Sequence, residues 1–332
     1  TVMLPPSWGG TSVVFTTRSV INLDGSMASS LVIPAFMRAL QTGLTVDVQE
    51  VKGEVKHSRN LAEMHVAVAA PGARIDSKEG GLAIAGVSLK SDIVNTTNGI
   101  PTGRSELAVA HLLASSCGKA TGSFGLASLT LTSDLDQNGD VIDYCVNSTI
   151  ASLHIGTQTF GPGVLSLAVS NVHAASMAEL GAAVDDFRQA GADPAAAKFA
   201  GLMLAAKLAS VLPGMAAHGL RFSLPQCRMA SPEGDYSITA LATLKPAEDA
   251  SAFNPLAMLN MLDADIDVRL PASFVEPKLA QAEASGRGAG LFAYLKKSGS
   301  EYTMNMTFHD GMLKVNGEQA GLPLGRDRQR KR

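Results

Sequence analysis

The sequence has little charge and few aromatic residues. Charged residues make up 17% and aromatic residues 5% of its 332 positions, whereas a typical soluble domain has about 25% charged residues. The 30 acidic and 27 basic residues leave a net charge of −3, so the chain offers no field of one sign that would hold nucleic acid. A hydrophobic fraction of 46% with so small a net charge excludes an intrinsically disordered chain.

Cysteine is scarce as well, and no targeting segment is visible. Cys117, Cys145 and Cys227 are too few and too widely spaced for a zinc motif or a disulfide framework. One disulfide with a free thiol and three unpaired thiols both fit this count. The most apolar run, Ala195 to Ala217, contains two lysines and a proline, which argues against a membrane-spanning helix.

Residues 1–170 have the period-two alternation of β-strands. Met64, Val66 and Val68, for example, alternate with residues of the opposite face, which predicts sheets with one buried and one wetter face. The alternation changes phase near Gly86, and this change indicates a bulge. The segment from Ser105 to Ser115 fits a strand or a helix, and we favour the strand.

Residues after 170 include helices. Spacing of apolar residues predicts a helix over Asn171 to Ala190. A second helix begins at Pro194, because proline is favoured at the first helical position, and is expected to end at Leu212 before Pro213. A third covers Ser273 to Ser285. The apolar face predicted for the second helix comprises Phe199, Leu202, Met203, Ala206 and Val211.

Runs of strands followed by helices predict an α+β fold rather than βαβ winding. We expect mostly antiparallel β structure, in one or more long curved sheets of about a dozen strands, with a few packed helices in the second half. A β-rich part covers residues 1–170 and an α+β part covers residues 171–332. The second part is expected to continue the first sheet rather than to form an independent domain.

Three segments of the chain are similar, in order and spacing, to the YdgA-like family of bacterial proteins of unknown function. They are Phe160 to Leu180, Leu204 to Gly234 and Tyr302 to Gly317. The resemblance implies a periplasmic protein anchored in the inner membrane by an N-terminal segment, and that anchor is absent from this chain. It implies no catalytic residue, because the family has none established.

The sharpest local motif is a candidate calcium site. Asp134, Asp136, Asn138 and Asp140 have the spacing of the first positions of a calcium-binding loop. Its twelfth position, which needs a bidentate glutamate, is Cys145. Strands, not helices, flank the segment, so we favour a polar hairpin tip with an Asn-Gly turn. Calcium is the one cofactor candidate.

The sequence gives only weak support to two candidate nucleophiles. Ser116 and Lys119 have the Ser-x-x-Lys spacing of acyl-transfer enzymes, but no companion motif is present. Cys117 with His111 would suggest a thiol nucleophile, and a loop cysteine beside a surface histidine is the simpler interpretation. No catalytic residue is therefore predicted.

The favoured hypothesis is a non-enzymatic protein of the cell envelope that binds a lipid or another apolar ligand. One alternative is a structural or assembly protein that contacts itself or another envelope component. Another is a hydrolase with an unrecognised site. The basic tail Arg326 to Arg332 fits contact with anionic lipid or a subunit, but more often such a run is a solvated terminus.

Overall fold

The computed structural model describes residues 2–3, 12–13, 15–40, 43–96, 100–116, 122–189, 194–246, 260–285 and 290–320. It consists mostly of antiparallel strands, with three α-helices in the second half. The predicted α+β class, dominated by antiparallel pairing, is confirmed. The basic tail and most of the short helix or coil expected over Phe253 to Leu262 lie outside the described residues.

The described residues form 22 strands rather than about a dozen, because strands of two to four residues are too short to show a period of two. The strands are β1 (Val2–Met3), β2 (Ser12–Val13), β3 (Thr16–Ile21), β4 (Met27–Ile33), β5 (Phe36–Ala39), β6 (Thr45–Val48), β7 (Val51–His57), β8 (Glu63–Ser77), β9 (Gly80–Asn95), β10 (Pro101–Ser116), β11 (Phe124–Asn138), β12 (Val141–Ile150), β13 (Ser152–Ile155), β14 (Gln158–Phe160), β15 (Gly163–His173), β16 (Arg221–Ser231), β17 (Gly234–Leu244), β18 (Leu262–Pro271), β19 (Lys296–Ser298), β20 (Glu301–His309), β21 (Met312–Val315) and β22 (Glu318–Gln319). The helices are α1 (Ala174–Gln189), α2 (Pro194–Ala217) and α3 (Ala272–Ser285), with a 3-10 helix at Gly290–Tyr294.

The chain divides into two compact units. Unit 1 comprises Thr1–Leu167 and Arg228–Pro232, and unit 2 comprises Ala168–Cys227 and Glu233–Arg332. The long strands of unit 1 pair antiparallel in the order β7, β8, β9, β10, β11, β12. Strand β10 includes the ambiguous segment from Ser105 to Ser115, so the prediction of a strand there is correct.

A row of irregular residues crosses four of these strands. Pairing is interrupted at Pro71 of β8, Gly86 of β9, Ala110 of β10 and Ser128 of β11, and resumes in register on the far side. Gly86 and Ser128 have φ values of 63° and 52°, in the left-handed region that disrupts a regular pleat. The bulge predicted near Gly86 is not formed, because one residue is skipped on each of the paired strands and no extra residue is inserted. Only the position of the irregularity was predicted, and it extends to the neighbouring strands.

Part of the core of unit 2 lies along β18, β20 and β21, whose apolar residues share one face. In the register, Ile266 lies opposite Met306, and Met306 lies opposite Val315. Phe308, two residues further along β20, is 8% exposed. Helix α3 contacts β18 and β20, and its Val275 is fully buried.

Helix α2 differs from its prediction at the C-terminal end. It continues through Pro213 to Ala217 instead of ending at Leu212. A proline inside a helix costs about 3 kcal/mol because it removes one backbone hydrogen bond and clashes with the preceding turn. Val211, Met215 and Ala216 are buried, so packing of the last turns offsets a local preference to stop.

The predicted apolar face of α2 is mostly turned outward, contrary to the expected core position. Phe199, Leu202 and Met203 are 67%, 69% and 55% exposed, and Val211 alone of the predicted large residues is buried. Helix α1 packs on the other side, where a Cβ at Gly201 would lie 3.8 Å from the Phe187 ring. Periodicity identifies residues that share a face, but it does not identify which face is covered.

Replacement of Gly103 by alanine is expected to lower the free energy of unfolding by about 2 kcal/mol or more. Gly103 in β10 has a φ of 127°, and an added Cβ would lie 2.0 Å from the carbonyl oxygen of Asp92. The matched control is Gly53→Ala in β7, where the nearest atom is 3.6 Å away. That change is expected to raise stability by about 0.5–1 kcal/mol. Equal urea midpoints for the two variants would contradict this account.

Candidate functional site: an apolar sheet face

One face of the unit 1 sheet is apolar across strands β8 to β11. Leu89 lies opposite Leu107, and Leu107 lies opposite Leu131. Residues two apart along a strand share a face, and the next row towards the irregular residues is apolar too. These two rows, here called the apolar face, comprise Val68, Leu89, Leu107, Leu131, Ala70, Val87, Val109 and Leu129.

The apolar face is only partly covered. Leu89 and Leu131 are 37% and 36% exposed, while Val109 in the central strand is 9% exposed. The other residues of the face are half-buried. A contiguous apolar surface that stays open to solvent is typical of a binding site rather than of a closed core.

The opposite face of the same strands is polar. Lys90 lies opposite Glu106, and Glu106 lies opposite Thr132. One row further along, Asp92 forms an ion pair with His65 at 2.5 Å, and the neighbouring strands contribute a second ion pair between Arg104 and Asp134. The sheet is therefore amphipathic, and only one side of it can bind an apolar ligand.

A serine pair lies at one border of the apolar face. The hydroxyl oxygens of Ser91 and Ser105 are 2.7 Å apart and hydrogen-bonded to each other. Ser91 is 8% exposed. A buried hydroxyl that has its partner does not carry the desolvation cost of an unpaired one. The pair therefore keeps this part of the surface compatible with apolar groups.

Open cavities lie at both ends of the long strands. One of about 520 Å³ is lined by residues of both sides of the sheet: Met27, His57, Met64 and Ile93 on the side of the apolar face, and Ala28, Lys56, His65 and Asp92 on the polar side. The second, of about 440 Å³ and lined partly by Leu82, Ala114 and Phe124, lies beyond the irregular row. Both volumes fall in the range of about 300–1,000 Å³ typical of small-molecule sites.

The candidate calcium residues lie at the β11–β12 hairpin. Asp134, Asp136 and Asn138 occupy alternate positions of β11, and Asp140 lies in the two-residue turn. Gly139, the first turn residue, has a φ of 61°, as in type I′ and II′ hairpin turns. Over the described ranges, no group of three or more His, Cys, Asp or Glu side chains is placed to hold a metal ion. Calcium binding here stays a prediction.

The candidate nucleophiles are not assembled into a described site. Ser116 and His111 are exposed on β10, whereas their suggested partners Lys119 and Cys117 lie outside the described residues. Cys145 and Cys227 are free thiols. The geometry therefore adds nothing to either nucleophile hypothesis.

The sequence did not reveal two histidine clusters in unit 2. His173 and His218 stack with ring centroids 4.5 Å apart, and His173 Nδ1 lies 2.9 Å from the hydroxyl of Ser176. Ser176 is 6% exposed and lies in the first turn of α1, so this side-chain contact ties the end of β15 to the start of the helix. A buried serine at a helix start is inaccessible to a substrate.

The second cluster surrounds His309 at the end of β20. Its Nε2 lies 3.1 Å from Asp265, and its Nδ1 lies 3.2 Å from Asp263. Lys245 forms ion pairs with Asp263 at 3.0 Å and with Asp310 at 3.4 Å. The hydrogen bonds to Asp265 and then to Asp263 raise the pKa of His309, and the hydrogen bond from Lys245 is the largest cause of the lowered pKa of Asp263.

We expect His309 to stabilise the protein only while its ring is charged. A raised folded-state pKa gives stability that is fully present below the unfolded pKa and is lost as pH rises through the folded pKa. Wild type and His309→Gln should therefore differ in urea midpoint at about pH 5.5 and converge at about pH 8.5. A difference that grows with rising pH would contradict this assignment.

The fold and the apolar face together define the structural class of this protein. It is an α+β protein of mainly antiparallel strands, whose longest strands form an amphipathic sheet. The chain belongs to DUF945, a family of bacterial proteins of unknown function, which it matches over residues 6–323. The match confirms the similarity to the YdgA-like, unknown-function proteins. No curated protein and no solved structure matches the chain.

Proposed function

We propose that this protein is a non-enzymatic envelope protein that binds the acyl chain of a lipid on the apolar face of unit 1. The observation that carries the proposal is the partly exposed row of Leu89, Leu107 and Leu131, backed on the other side by a polar surface. A location outside the cytoplasm, in the periplasm, is part of the proposal. The similarity to YdgA-like proteins supports that location.

An acyl chain fits this surface better than a polar or charged ligand. The polar side chains that border the row on the described strands β9 to β11 are three uncharged serines, Ser91, Ser105 and Ser133, and the first two bond to each other. Leucine and valine side chains offer dispersion and hydrophobic contact but no directional bond. Nucleic acid is not among the proposed partners, because acidic and basic residues nearly balance, at 30 and 27.

In the assembly alternative, the apolar face of unit 1 binds a protein instead of a lipid. A second copy or another envelope component would cover the apolar face and exclude the lipid. A hydrolase would need an accessible nucleophile with an oriented base. The serine of the Ser176–His173 contact is buried. Ser152 lies 3.2 Å from Nε2 of the exposed His154, but Nδ1 of His154 contacts the Thr159 hydroxyl and not a carboxylate. We therefore place the lipid-binding function first.

Affinity is expected to rise with the length of the acyl chain. Each added methylene that leaves water contributes about 0.8 kcal/mol, which corresponds to an affinity gain of about fourfold. A series of saturated fatty acids with about ten to sixteen carbons, measured by calorimetry below their critical micelle concentrations, tests this expectation. Short-chain acids of the same charge are the control.

The length series also discriminates the alternatives. Affinity that does not change with chain length would show that the carboxylate, not the chain, is recognised, and would contradict the proposal. Loss of fatty-acid binding at high protein concentration, together with a growing particle mass in light scattering, would favour self-association through the apolar face.

A further inference from the structure

The α1–α2 helical pair of unit 2 carries an apolar surface of its own. Phe199, Leu202, Met203 and Ala206 are spaced i, i+3, i+4 and i+7, so they form one stripe along α2. The first three are more than half exposed, and Ala206 is exposed too. We call these four residues the α2 stripe.

Helix α1 covers only the other side of α2. Gly201 faces the Phe187 ring, and the ammonium of Lys207 donates a hydrogen bond to Glu179 at 2.5 Å. These contacts leave the α2 stripe directed away from α1. A helix face exposed to water normally carries charged or polar residues, so the α2 stripe is suited to an apolar environment.

The composition of α2 indicates which environment that is. Lys198–Ala217 has a mean hydropathy of 1.5 and the length and composition of a membrane-crossing helix, yet only 19% of it is buried in the structure. Pro213 and Lys207 lie within this segment, and Lys207 forms an ion pair with Glu179 of α1. They make a position at the membrane surface more favourable than a crossing.

Charge and size both favour a bilayer over a protein partner. The two charged residues of α2, Lys198 and Lys207, are basic, and Lys198 is exposed beside Phe199, where a lysine can reach anionic headgroups. The α2 stripe has four residues, whereas a stable protein interface uses about 20–30 residues on each side. A lipid surface needs no such complementary area.

We propose that the α2 stripe docks unit 2 onto the surface of an anionic lipid bilayer, with Phe199, Leu202 and Met203 inserted between headgroups and Lys198 at the phosphate level. The polar residues of α1, including Asp185 and Arg188, stay on the aqueous side. This site is independent of acyl-chain binding on the apolar face of unit 1.

Vesicle flotation of the full chain tests the proposal. Vesicles of phosphatidylcholine are compared with vesicles in which about 30% is phosphatidylglycerol. Wild type is expected to float with the anionic vesicles, and the Phe199→Asp/Leu202→Asp variant to lose about tenfold or more of its bound fraction. Ala178→Asp/Ala182→Asp, at two exposed positions of α1, adds the same two charges, is the matched control and should float like wild type.

The remaining variants distinguish the charge of Lys198 from the apolar contacts, and the α2 stripe from the apolar face of unit 1. Lys198→Glu should reduce flotation with anionic vesicles more than with neutral ones, and Leu89→Asp/Leu131→Asp, which changes the apolar face of unit 1, should float like wild type. Flotation that is absent, or unchanged in Phe199→Asp/Leu202→Asp, would overturn the proposal. So would a dimer that this variant dissociates without any flotation of wild type, because a second copy would then occupy the stripe.

Discussion

Replacing Leu89 and Leu131 together by aspartate is expected to weaken acyl-chain binding about thirtyfold or more. Both side chains are more than a third exposed on the apolar face, so each loses a contact with the ligand worth about 1 kcal/mol, part of the 1.5–3 kcal/mol of a fully buried leucine. Two carboxylates beside an acyl chain also lose hydration when the ligand binds. Calorimetry with the longest soluble fatty acid measures the effect.

The chain offers a closely matched control for this variant. Ser88 and Thr130 precede Leu89 and Leu131 on the same strands and lie in one row of the opposite face, separated by Ala108. Ser88→Asp/Thr130→Asp therefore adds the same charges at the same separation. It is expected to bind like wild type. Equal losses in the two double variants would show that charge or stability, not the apolar face, determines binding.

Replacing Phe308 by alanine is expected to lower the free energy of unfolding by about 3–4 kcal/mol. Phe308 is 8% exposed and lies between Ala264 of β18 and Leu313 of β21. Small and aliphatic neighbours in paired strands cannot move far enough to fill the space left by the ring, so a cavity adds to the lost transfer free energy. Urea unfolding followed by circular dichroism measures the change.

Phe199→Ala is the control for the loss of a phenyl ring as such. Phe199 is 67% exposed, so its removal should change stability by about 0.5 kcal/mol or less. Phe308→Leu should fall between the two, because leucine refills part of the volume. If Phe199→Ala cost as much as Phe308→Ala, the outward orientation of the α2 stripe would be wrong.

Local signals predicted much of the fold. Alternation in β8 and β9 identified strands, the phase change near Gly86 identified one position of the irregular row, though as a bulge, and Pro194 identified the start of α2. Each of these signals acts over a few residues. The end of α2 was missed because burial of Met215 and its neighbours is a tertiary effect that overrides the local penalty of Pro213.

Less of the candidate site than of the fold could be predicted from the sequence. Leu89 and Leu131 come into one row only through the register of three strands, and register is a long-range property. The contact of His309 with Asp265 likewise spans 44 residues. The sequence predicted that apolar surface exists and that it binds a lipid or similar ligand, but not which strands provide it.

Photo-crosslinking with a fatty acid that carries a diazirine near the end of its chain tests the central claim most directly. Our account predicts adducts on strands β8 to β11, centred on the row of Leu89, Leu107 and Leu131, and competition by the unlabelled acid. Leu89→Asp/Leu131→Asp should lose these adducts, while Ser88→Asp/Thr130→Asp should keep them. Adducts confined to the polar face or to α2, or none that unlabelled acid displaces, would contradict the account.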